Sequence, residues 1–384
     1  MRPEWLKAIT DAAPDEWNQL SGDGQPFVRH EYLAALETTG CASPATGWHP
    51  RHLLLRDADG TLLGAMPGWL KDHSRGEFVF DFIWAEAWAR HGLPYYPKLV
   101  SAIPFTPVPG PRLLAAPGRD ADEIATRLIE VATAHARDQG LSSAHWLFPA
   151  AIDRERLHEA GLLLRKNVRF VWHDRGYGDF EGYLDAFTAS RRKKIRRERR
   201  RIGEQGLHLE VRHGNELAPE MWDTLWPLYA SSHWWRGQHP YLSQDFFIHL
   251  CEQMGDAVVV FIAFDSREQA VACAITLRDG NSLYGRHWGC ARDYHSLHFE
   301  TCYYRPLIYC LEHGLTHFDP GTQGEHKLSR GFLPEAAWSA HWIAHPDFRR
   351  AIEDFLVRET GMVDTYLAEL DRHNPFRQPH RQAL

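Results

Sequence analysis

The chain has 384 residues, of which 44% are hydrophobic and 24% charged, and its formal net charge is -7 at pH 7. This composition is typical of a globular protein long enough for two or three domains. No uninterrupted apolar run could span a bilayer, and the first residues lack the apolar stretch of a signal peptide, so we expect a cytoplasmic protein.

The cysteines also favour a cytoplasmic protein. None of the six forms a CxxC pair, and several lie among apolar neighbours. We therefore expect reduced thiols and no structural zinc site.

The first half of the chain contains a predicted β-hairpin and a predicted helix. Residues 52–70 consist of two apolar runs around a turn at Asp59 and Gly60, which is typical of a hairpin. Residues 123–140 carry apolar side chains at helical spacing up to Gly140, and a short aromatic strand follows.

A proline-rich insertion, residues 95–114, separates this hairpin from the helix. Its proline density argues against a regular strand and for a surface or cleft-lining loop. Such a loop could form the rim of a binding site with Lys98 and Arg112 facing an anionic group. It could equally be a rigid structural crossing, and the sequence leaves both alternatives open.

A basic helical stretch, residues 179–206, joins the two halves of the chain. Five apolar residues predict one buried stripe: Phe180, Tyr183, Leu184, Phe187 and Ile195. Nine of the eleven residues from 191 to 201 are Lys or Arg. Such a run is often a solvated face, but like charges on one helix also favour an anionic partner. We therefore predict phosphate binding by Arg191, Arg192 and Lys194, which lie nearest the stripe.

The second half repeats the order of the first. Residues 258–277 predict another hairpin, and residues 299–314 predict a helix that Pro306 should kink, followed by a strand. An amphipathic helix closes the chain after Trp342. We therefore expect an α/β protein built from a duplicated unit, with a first lobe at residues 1–172, a bridging helix at 173–206 and a second lobe at 207–384.

This order of parts resembles the Fem family of aminoacyltransferases, whose two fused lobes have the GNAT fold of mixed twisted sheets flanked by helices. Three segments carry the resemblance: residues 190–211, residues 283–315 and "FDPGTQGEHKLSRGF" at residues 318–332. The resemblance implies transfer of an aminoacyl group from an aminoacyl-tRNA to an amine on a muropeptide. The coiled-coil insertion of some Fem enzymes is missing, so cross-bridge synthesis itself does not follow.

The segment "GTQGEHKLSRGF" contains the predicted catalytic residues. The resemblance places Lys327 at the reacting ester, where an ammonium would stabilise the oxyanion formed during acyl transfer. Gln323 could donate a second hydrogen bond, and Glu325 or His326 could accept the proton of the attacking amine. The alternative is a polar turn whose lysine makes a surface ion pair.

A second predicted binding element is "RHWGCA" at residues 286–291, which matches the R-x-x-G-x-A pattern of coenzyme A binding in GNAT enzymes. That pattern holds pyrophosphate at a strand-to-helix turn. Alternation along a strand would also point Tyr284, Arg286 and Trp288 to one face of a cleft.

A metal site is not expected, although several possible ligands lie close together in the sequence. They are His295, His298, Glu300, Glu325 and His326, and no HExxH pattern joins them.

These observations predict an N-acyltransferase with no tightly bound cofactor. Its donor would be aminoacyl-tRNA or acyl-CoA, and its acceptor a muropeptide or another amine-bearing small molecule. Two alternatives stay open: a non-catalytic protein that recognises a muropeptide or RNA, and an acetyl-CoA-dependent N-acetyltransferase.

Overall fold

The computed structural model describes residues 1–22, 24–321 and 324–377. The chain forms two units, Met1–Asn167 with Ala336–Asp364 and Val168–Glu335 with Thr365–Leu384, here called the first and second units. These boundaries differ from the predicted ones, because the basic helix lies within the second unit and residues 336–364 return to the first. Ala340 and Ile352 pack in cores of the first unit, which explains the return.

Fifteen strands are present among the described residues. They are β1 (Arg2–Leu6), β2 (Trp48–Pro50), β3 (His52–Arg56), β4 (Leu62–Met66), β5 (Trp69–Lys71), β6 (Lys98–Ser101), β7 (Leu114–Ala115), β8 (Ser143–Leu147), β9 (Leu163–His173), β10 (His208–His213), β11 (Val258–Phe264), β12 (Ala270–Arg278), β13 (Ser282–Cys290), β14 (His317–Asp319) and β15 (Leu333–Ile343).

Twelve α-helices accompany these strands in the described ranges. They are α1 (Pro14–Ser21), α2 (His30–Thr38), α3 (Phe82–Arg90), α4 (Ala121–Asp138), α5 (Ala151–Glu159), α6 (Phe180–Asp185), α7 (Ala189–Glu204), α8 (Trp222–Trp234), α9 (Gln244–Met254), α10 (Leu297–Phe299), α11 (Arg305–Glu312) and α12 (Pro346–Arg372). No helix of these ranges is both long enough and apolar enough to pass through a bilayer.

The first unit contains two sheets. One has the order β1–β3–β4–β7 and includes the predicted hairpin, since β3 and β4 pair antiparallel. The other has the order β15–β8–β6–β5–β2, in which β6 and β8 are parallel. Helix α4, which the sequence predicted, lies between those two parallel strands in the chain and packs its apolar face on the core.

The second unit has one sheet of order β10–β11–β12–β13–β14–β9, which contains both a hairpin and a parallel pair. The predicted hairpin is confirmed as β11 and β12, and the parallel pair is β13 and β14. The predicted helix between them is interrupted, because a π-helical turn, Glu300–Tyr304, lies between α10 and α11. Pro306 occupies the first turn of α11, where a proline needs no N–H partner.

Two further predictions about regular structure require correction. The basic stretch is not one helix, since α6 ends at Asp185 and α7 begins at Ala189, although all five predicted stripe residues are buried. The proline-rich insertion does contain a strand, β6, which pairs with β5 and β8. Its four residues Lys98–Ser101 contain no proline, so the backbone donors that a sheet requires are present there.

Candidate active site

Lys327 lies buried on a short 3-10 helix, Glu325–Arg330, that follows β14 in the second unit. Its side chain donates a hydrogen bond from Nζ to the carbonyl oxygen of Gly321 at 2.5 Å, and 2% of the residue is exposed. Burial lowers the pKa of Lys327 to about 8, although Asp319 nearby favours its charged form. The site therefore holds an ammonium whose proton is more labile than that of an ordinary lysine.

The turn that holds Lys327 is built from Asp319 and two glycines. Asp319 ends β14 and accepts a hydrogen bond from the Gly321 backbone N–H at 2.9 Å, while Arg169 donates to its other oxygen at 3.1 Å. Gly331 has a φ of +86°, and a Cβ there would lie 2.2 Å from the Tyr183 hydroxyl. Glycine is therefore required at this position, where the chain after Lys327 passes close to an aromatic side chain.

Helix α7 is tied to the Lys327 segment through its single acidic residue within the basic run. Glu198 accepts hydrogen bonds from Arg330 Nη2 at 2.9 and 3.0 Å and from the Tyr304 hydroxyl at 2.5 Å. The Arg330 guanidinium lies 3.3 Å from the centroid of the Phe299 ring. Glu198 and Arg330 are both buried, so this ion pair positions the helix that carries Lys327. Sequence reasoning missed the pair, although one acid among nine basic residues was a visible clue.

The other predicted residues of this segment lie closer to solvent. His326 is exposed, and its Nε2 lies 2.9 Å from the Tyr303 hydroxyl. Partial burial and the neighbouring cations Arg330 and Lys327 lower the pKa of His326. Glu325 is exposed and accepts a hydrogen bond from Tyr366. Gln323 lies outside the described residues.

Strand β13 does not present its three predicted residues on one face. The pairing with β12 shifts between Ile275 and Thr276, which places a bulge at Arg286 and reverses the alternation beyond it. Trp288 consequently packs against the same core as Leu283, 5.3 Å from the His298 ring, whereas the Tyr284 hydroxyl donates to Asp279 at 2.8 Å. The positive charge of Arg286 contributes to the lowered pKa of Lys327. Of the three predicted residues, Arg286 thus acts on Lys327 through its charge, while Tyr284 pairs with Asp319 across β13 and β14.

Five of the six residues that match the coenzyme A pattern lie inside β13, so the predicted strand-to-helix turn is wrong for these residues. Helix α10 begins only at Leu297. Gly289 serves packing instead, because a Cβ there would lie 1.7 Å from the Leu228 carbonyl oxygen of α8. The glycine of "RHWGCA" is thus required by a helix that crosses the strand closely.

The basic face of α7 borders an open cavity of about 420 Å³. Lys194, Arg197 and Arg201 supply its cationic side, and residues 293–296 with Phe299 supply the rest together with Glu198. Arg201 contacts His295 Nε2 at 2.8 Å. Of the predicted phosphate-binding residues, Lys194 lines this cavity, while Arg192 pairs with Asp185 at 2.9 Å. Arg191 is half-buried and does not line the cavity.

Lys98 and Arg112 do not form a loop rim, which corrects their expected position in the first unit. Both side chains are fully buried. Lys98 donates to Asp81 at 2.5 Å and to Glu77 at 2.8 Å, and Arg112 donates to the carbonyls of Val108 and Leu147. The structure supports the rigid-crossing alternative, because the cations of this segment are used to hold its own backbone and core.

Lys71 lies opposite Lys98 in the register of β5 and β6 and differs from it in its contacts. Lys71 is also fully buried, but its Nζ makes no hydrogen bond and lies 3.7 Å from the centroid of the Trp48 ring. Burial lowers the pKa of Lys71 to about 7. Glu77 and Asp81 raise the pKa of Lys98 despite its burial. The first unit therefore contains one compensated and one poorly compensated buried lysine.

His298 and Glu300, two of the residues considered as metal ligands, are engaged by other side chains. His298 packs against Trp288 and Tyr303, and burial lowers its pKa to about 4. Glu300 instead pairs with Arg199 at 3.2 Å. Across the three described ranges, no group of three or more His, Cys, Asp or Glu residues is arranged to hold a metal ion.

Comparison with known structures identifies the fold. FemX matches with 11% identity and a TM-score of 0.55, over 92% of this chain and 100% of that chain. The C-terminal domain of a protein named as a lysylphosphatidylglycerol synthetase, from Agrobacterium fabrum, matches with 11% identity and a TM-score of 0.55, over 89% and 95%. L-PGS from Bacillus licheniformis matches with 11% identity and a TM-score of 0.50, over 84% and 95%.

The predicted α/β fold of two tandem GNAT-like lobes is thereby confirmed. Residues 8–378 match the model of one family, FemAB-like, described as peptidoglycan biosynthesis/recognition. The chain belongs to this FemAB-like family, as its sequence motifs predicted. No curated protein matches the sequence.

Proposed function

We propose that this protein is an N-acyltransferase that joins an activated carboxyl group to a primary amine. The observation that carries the proposal is the buried Lys327 ammonium, held beside the Gly321 carbonyl on a family-matched segment. Attack of the amine on an ester or thioester turns the carbonyl oxygen into an oxyanion. A preorganised ammonium stabilises that charge more than it stabilises the neutral ester, which is the requirement for catalysis.

The proton of the attacking amine is assigned to His326. Its pKa lies below the usual range, so the imidazole is neutral at pH 7 and can accept a proton. The hydrogen bond to the Tyr303 hydroxyl holds the ring in place. Glu325 and Gln323 remain candidate contributors to the same step. The amide bond forms as the carbon–oxygen or carbon–sulfur bond of the donor breaks, and the leaving group departs with a proton.

The donor is proposed to bind through its phosphates along α7. Lys194, Arg197 and Arg201 lie along the cavity wall, and Glu198 and Phe299 on that wall are joined to the Lys327 helix through Arg330. A phosphorylated donor seated there would approach the acyl-transfer residues from the α7 side. The family match favours aminoacyl-tRNA as donor and a peptidoglycan precursor as acceptor. Acyl-CoA is the second donor candidate.

A binding protein without catalysis is the alternative from another class. The observation in its favour is that Lys327 Nζ already has an acceptor, the Gly321 carbonyl, so the side chain also serves to close its own turn. In that case the cavity along α7 would recognise a phosphorylated ligand and no bond would be made.

The two proposals are separated by one experiment with a panel of charged tRNAs, acyl-CoAs and UDP-linked muropeptides. Ligands that raise the melting temperature are then tested for amide formation by mass spectrometry. The enzyme proposal expects turnover by the wild type and loss of turnover with retained binding in Lys327→Ala. A wild type that binds donor and acceptor together and forms no amide supports the binding protein instead.

A further inference from the structure

Arg169 lies between two carboxylates in the second unit. It belongs to β9, and 14% of its side chain is exposed. Its two terminal nitrogens donate to different acids, Nη1 to Asp319 at 3.1 Å and Nη2 to Glu335 at 3.0 Å. Glu335 also contacts the Nε2 atom of His173, on the same strand as Arg169, at 2.6 Å. A planar guanidinium that is engaged at both ends is fixed in orientation as well as in position.

Asp319 connects Arg169 to the candidate active site. The residue is 2% exposed, and the oxygen that does not face Arg169 accepts a hydrogen bond from the Gly321 N–H. The carbonyl oxygen of Gly321 accepts a hydrogen bond from Lys327 Nζ. Asp319 and Lys327 thus contact the same glycine, and in the part of the chain that the structure describes they make no hydrogen bond to each other.

Asp319 is the anion beside the Lys327 ammonium. Burial is the main cause of the lowered pKa of Lys327, and three ionisable groups act on it through their charge: Asp319, Cys302 and Arg286. Burial raises the pKa of the Cys302 thiol well above its usual range, so the thiol is neutral at pH 7. Among these three groups, the Asp319 carboxylate is therefore the one that could form an ion pair with Lys327.

Loss of the Arg169 charge would release this carboxylate. His317 also interacts with Asp319, but burial lowers the pKa of His317 to about 4, so its ring carries no positive charge at pH 7. A buried carboxylate without a cation is unfavourable, and the Lys327 ammonium would then be the partner within reach. A direct ion pair between Asp319 and Lys327 would neutralise the charge that an oxyanion needs.

We propose that Arg169 is a positioning residue for Lys327, because it holds the Asp319 carboxylate away from the ammonium and so keeps the ammonium available to the oxyanion of acyl transfer. The proposal rests on the function proposed above, since it concerns the group that stabilises the oxyanion there. Arg169 acts on Lys327 through Asp319, so its effect must vanish when that carboxylate is removed.

The experiment measures the pKa of Lys327 by carbon NMR of protein isotopically labelled at the lysine Cε, and Lys327→Met assigns the signal. Arg169→Leu should raise this pKa by about 1–3, which is the effect of an opposite charge brought within about 4–6 Å. In an Asp319→Asn background the same substitution should leave the pKa of Lys327 unchanged. Arg169→Lys keeps a cation beside Asp319 and should return the pKa towards the wild-type value.

The matched control is Arg165→Leu, which removes another arginine of β9. Its side chain is 16% exposed and is paired with Glu359 at 2.7 Å, so its loss perturbs the strand in a comparable way. This variant should leave the pKa of Lys327 unchanged. If Arg169→Leu does not fold, Arg169→Gln keeps a donor without the charge and should give a smaller rise in the same direction.

The single-turnover rate of amide formation is the second readout. In Arg169→Leu it should fall about tenfold or more with donor and acceptor affinities close to the wild type, since outright loss of an oxyanion-stabilising group costs about 10²–10³. A Lys327 pKa that does not rise in the Arg169 variants, or that rises equally in the Asp319→Asn background, overturns the proposal. A wild type without turnover would overturn the proposed function instead, and a raised pKa would still establish that Arg169 holds Asp319 away from Lys327.

Discussion

The Nζ atom of Lys327 lies 2.5 Å from the carbonyl oxygen of Gly321, and no carboxylate is among its hydrogen-bond partners in the described ranges. The nearby carboxylate of Asp319 is instead engaged by Arg169 and by the Gly321 backbone. The hydrogen bond of the ammonium is thus made to a neutral dipole, while the Asp319 carboxylate favours the charged form from a distance. An anionic oxygen that replaced this carbonyl would be bound more strongly, which is the property that an acyl-transfer site needs.

The first prediction concerns pH. Because the pKa of Lys327 is lowered to about 8, the ammonium is lost as pH rises through that value, and the rate of amide formation should fall with it. The experiment is a pH–rate profile under saturating donor and acceptor. A profile that stays flat from pH 7 to 9.5 would argue against a charged Lys327 in the rate-limiting step.

The lowered pKa of Lys327 also predicts that the free energy of unfolding rises with pH, whereas the rate of amide formation falls. The folded pKa lies below the ordinary value of 10.5, so the unfolded chain binds more protons between about pH 8 and 10.5, and stability should rise over that interval. The full effect is roughly 3 kcal/mol at 1.36 kcal/mol per pKa unit. Urea denaturation of Lys327→Met should show a rise over this interval that is smaller by roughly 3 kcal/mol, because Lys71 still contributes its own share. A variant curve parallel to the wild type would mean that the buried amine does not titrate there.

The ion pair between Glu198 and Arg330 should be costly to break. Glu198→Gln leaves the Arg330 charge buried without its carboxylate, and such changes cost about 3–5 kcal/mol. The control is Glu204→Gln on the same helix, which breaks the exposed pair with Arg200 and should cost about 0–1 kcal/mol. If urea denaturation showed the same loss in free energy of unfolding for both variants, the structural role of Glu198 would be contradicted.

The cavity along α7 predicts which basic residues bind a phosphorylated donor. Lys194→Glu/Arg197→Glu places two acids in the cavity wall and should raise the dissociation constant roughly tenfold or more, with a shallower dependence on salt. Arg191→Glu/Lys193→Glu makes the same charge change on the same helix outside the residues that line the cavity. If this control weakened binding as much as the cavity variant, the effect would belong to the total charge of α7.

The two lysines that face each other across β5 and β6 should respond differently to removal. Lys71→Met removes a buried amine without a hydrogen bond and should stabilise the protein by roughly 1–4 kcal/mol below pH 7. This gain should shrink between about pH 7 and 10.5, because the folded protein sheds the Lys71 proton at a lower pH than the unfolded chain. Lys98→Met leaves Glu77 and Asp81 unpaired and should destabilise by about 3–5 kcal/mol. The measurement is thermal unfolding of both variants at pH 6. Changes in melting temperature of the same sign for the two variants would contradict this distinction.

Much of the fold follows from periodicity. The two hairpins, α4, the buried stripe of α6 and α7 and the closing helix are all predictable, because alternation and helical spacing are local properties of the chain. The bulge at Arg286 was not predictable, since one inserted residue depends on the register of a neighbouring strand. The assignment of residues 336–364 to the first unit was missed for the same reason, because it arises from long-range packing.

The candidate site was only partly accessible to sequence reasoning. Lys327 stood out because glycines and polar residues surround it, and the structure places it in a buried turn. The basic run was visible in the sequence. Whether Arg191 or Arg197 is the better candidate for phosphate binding depends on which face of α7 borders the cavity. The positions of Lys98 and Arg112 could not be predicted. The sequence of a proline-rich segment is the same whether its cations face solvent or buried acceptors.

The role of Lys327 is tested most directly by the single-turnover rate of amide formation from a preassembled complex with donor and acceptor. Removing one oxyanion-stabilising group typically lowers such a rate by about 10²–10³. Lys327→Met should show a loss of this size with donor and acceptor affinities close to those of the wild type. A variant that forms the amide at the wild-type rate would contradict the account.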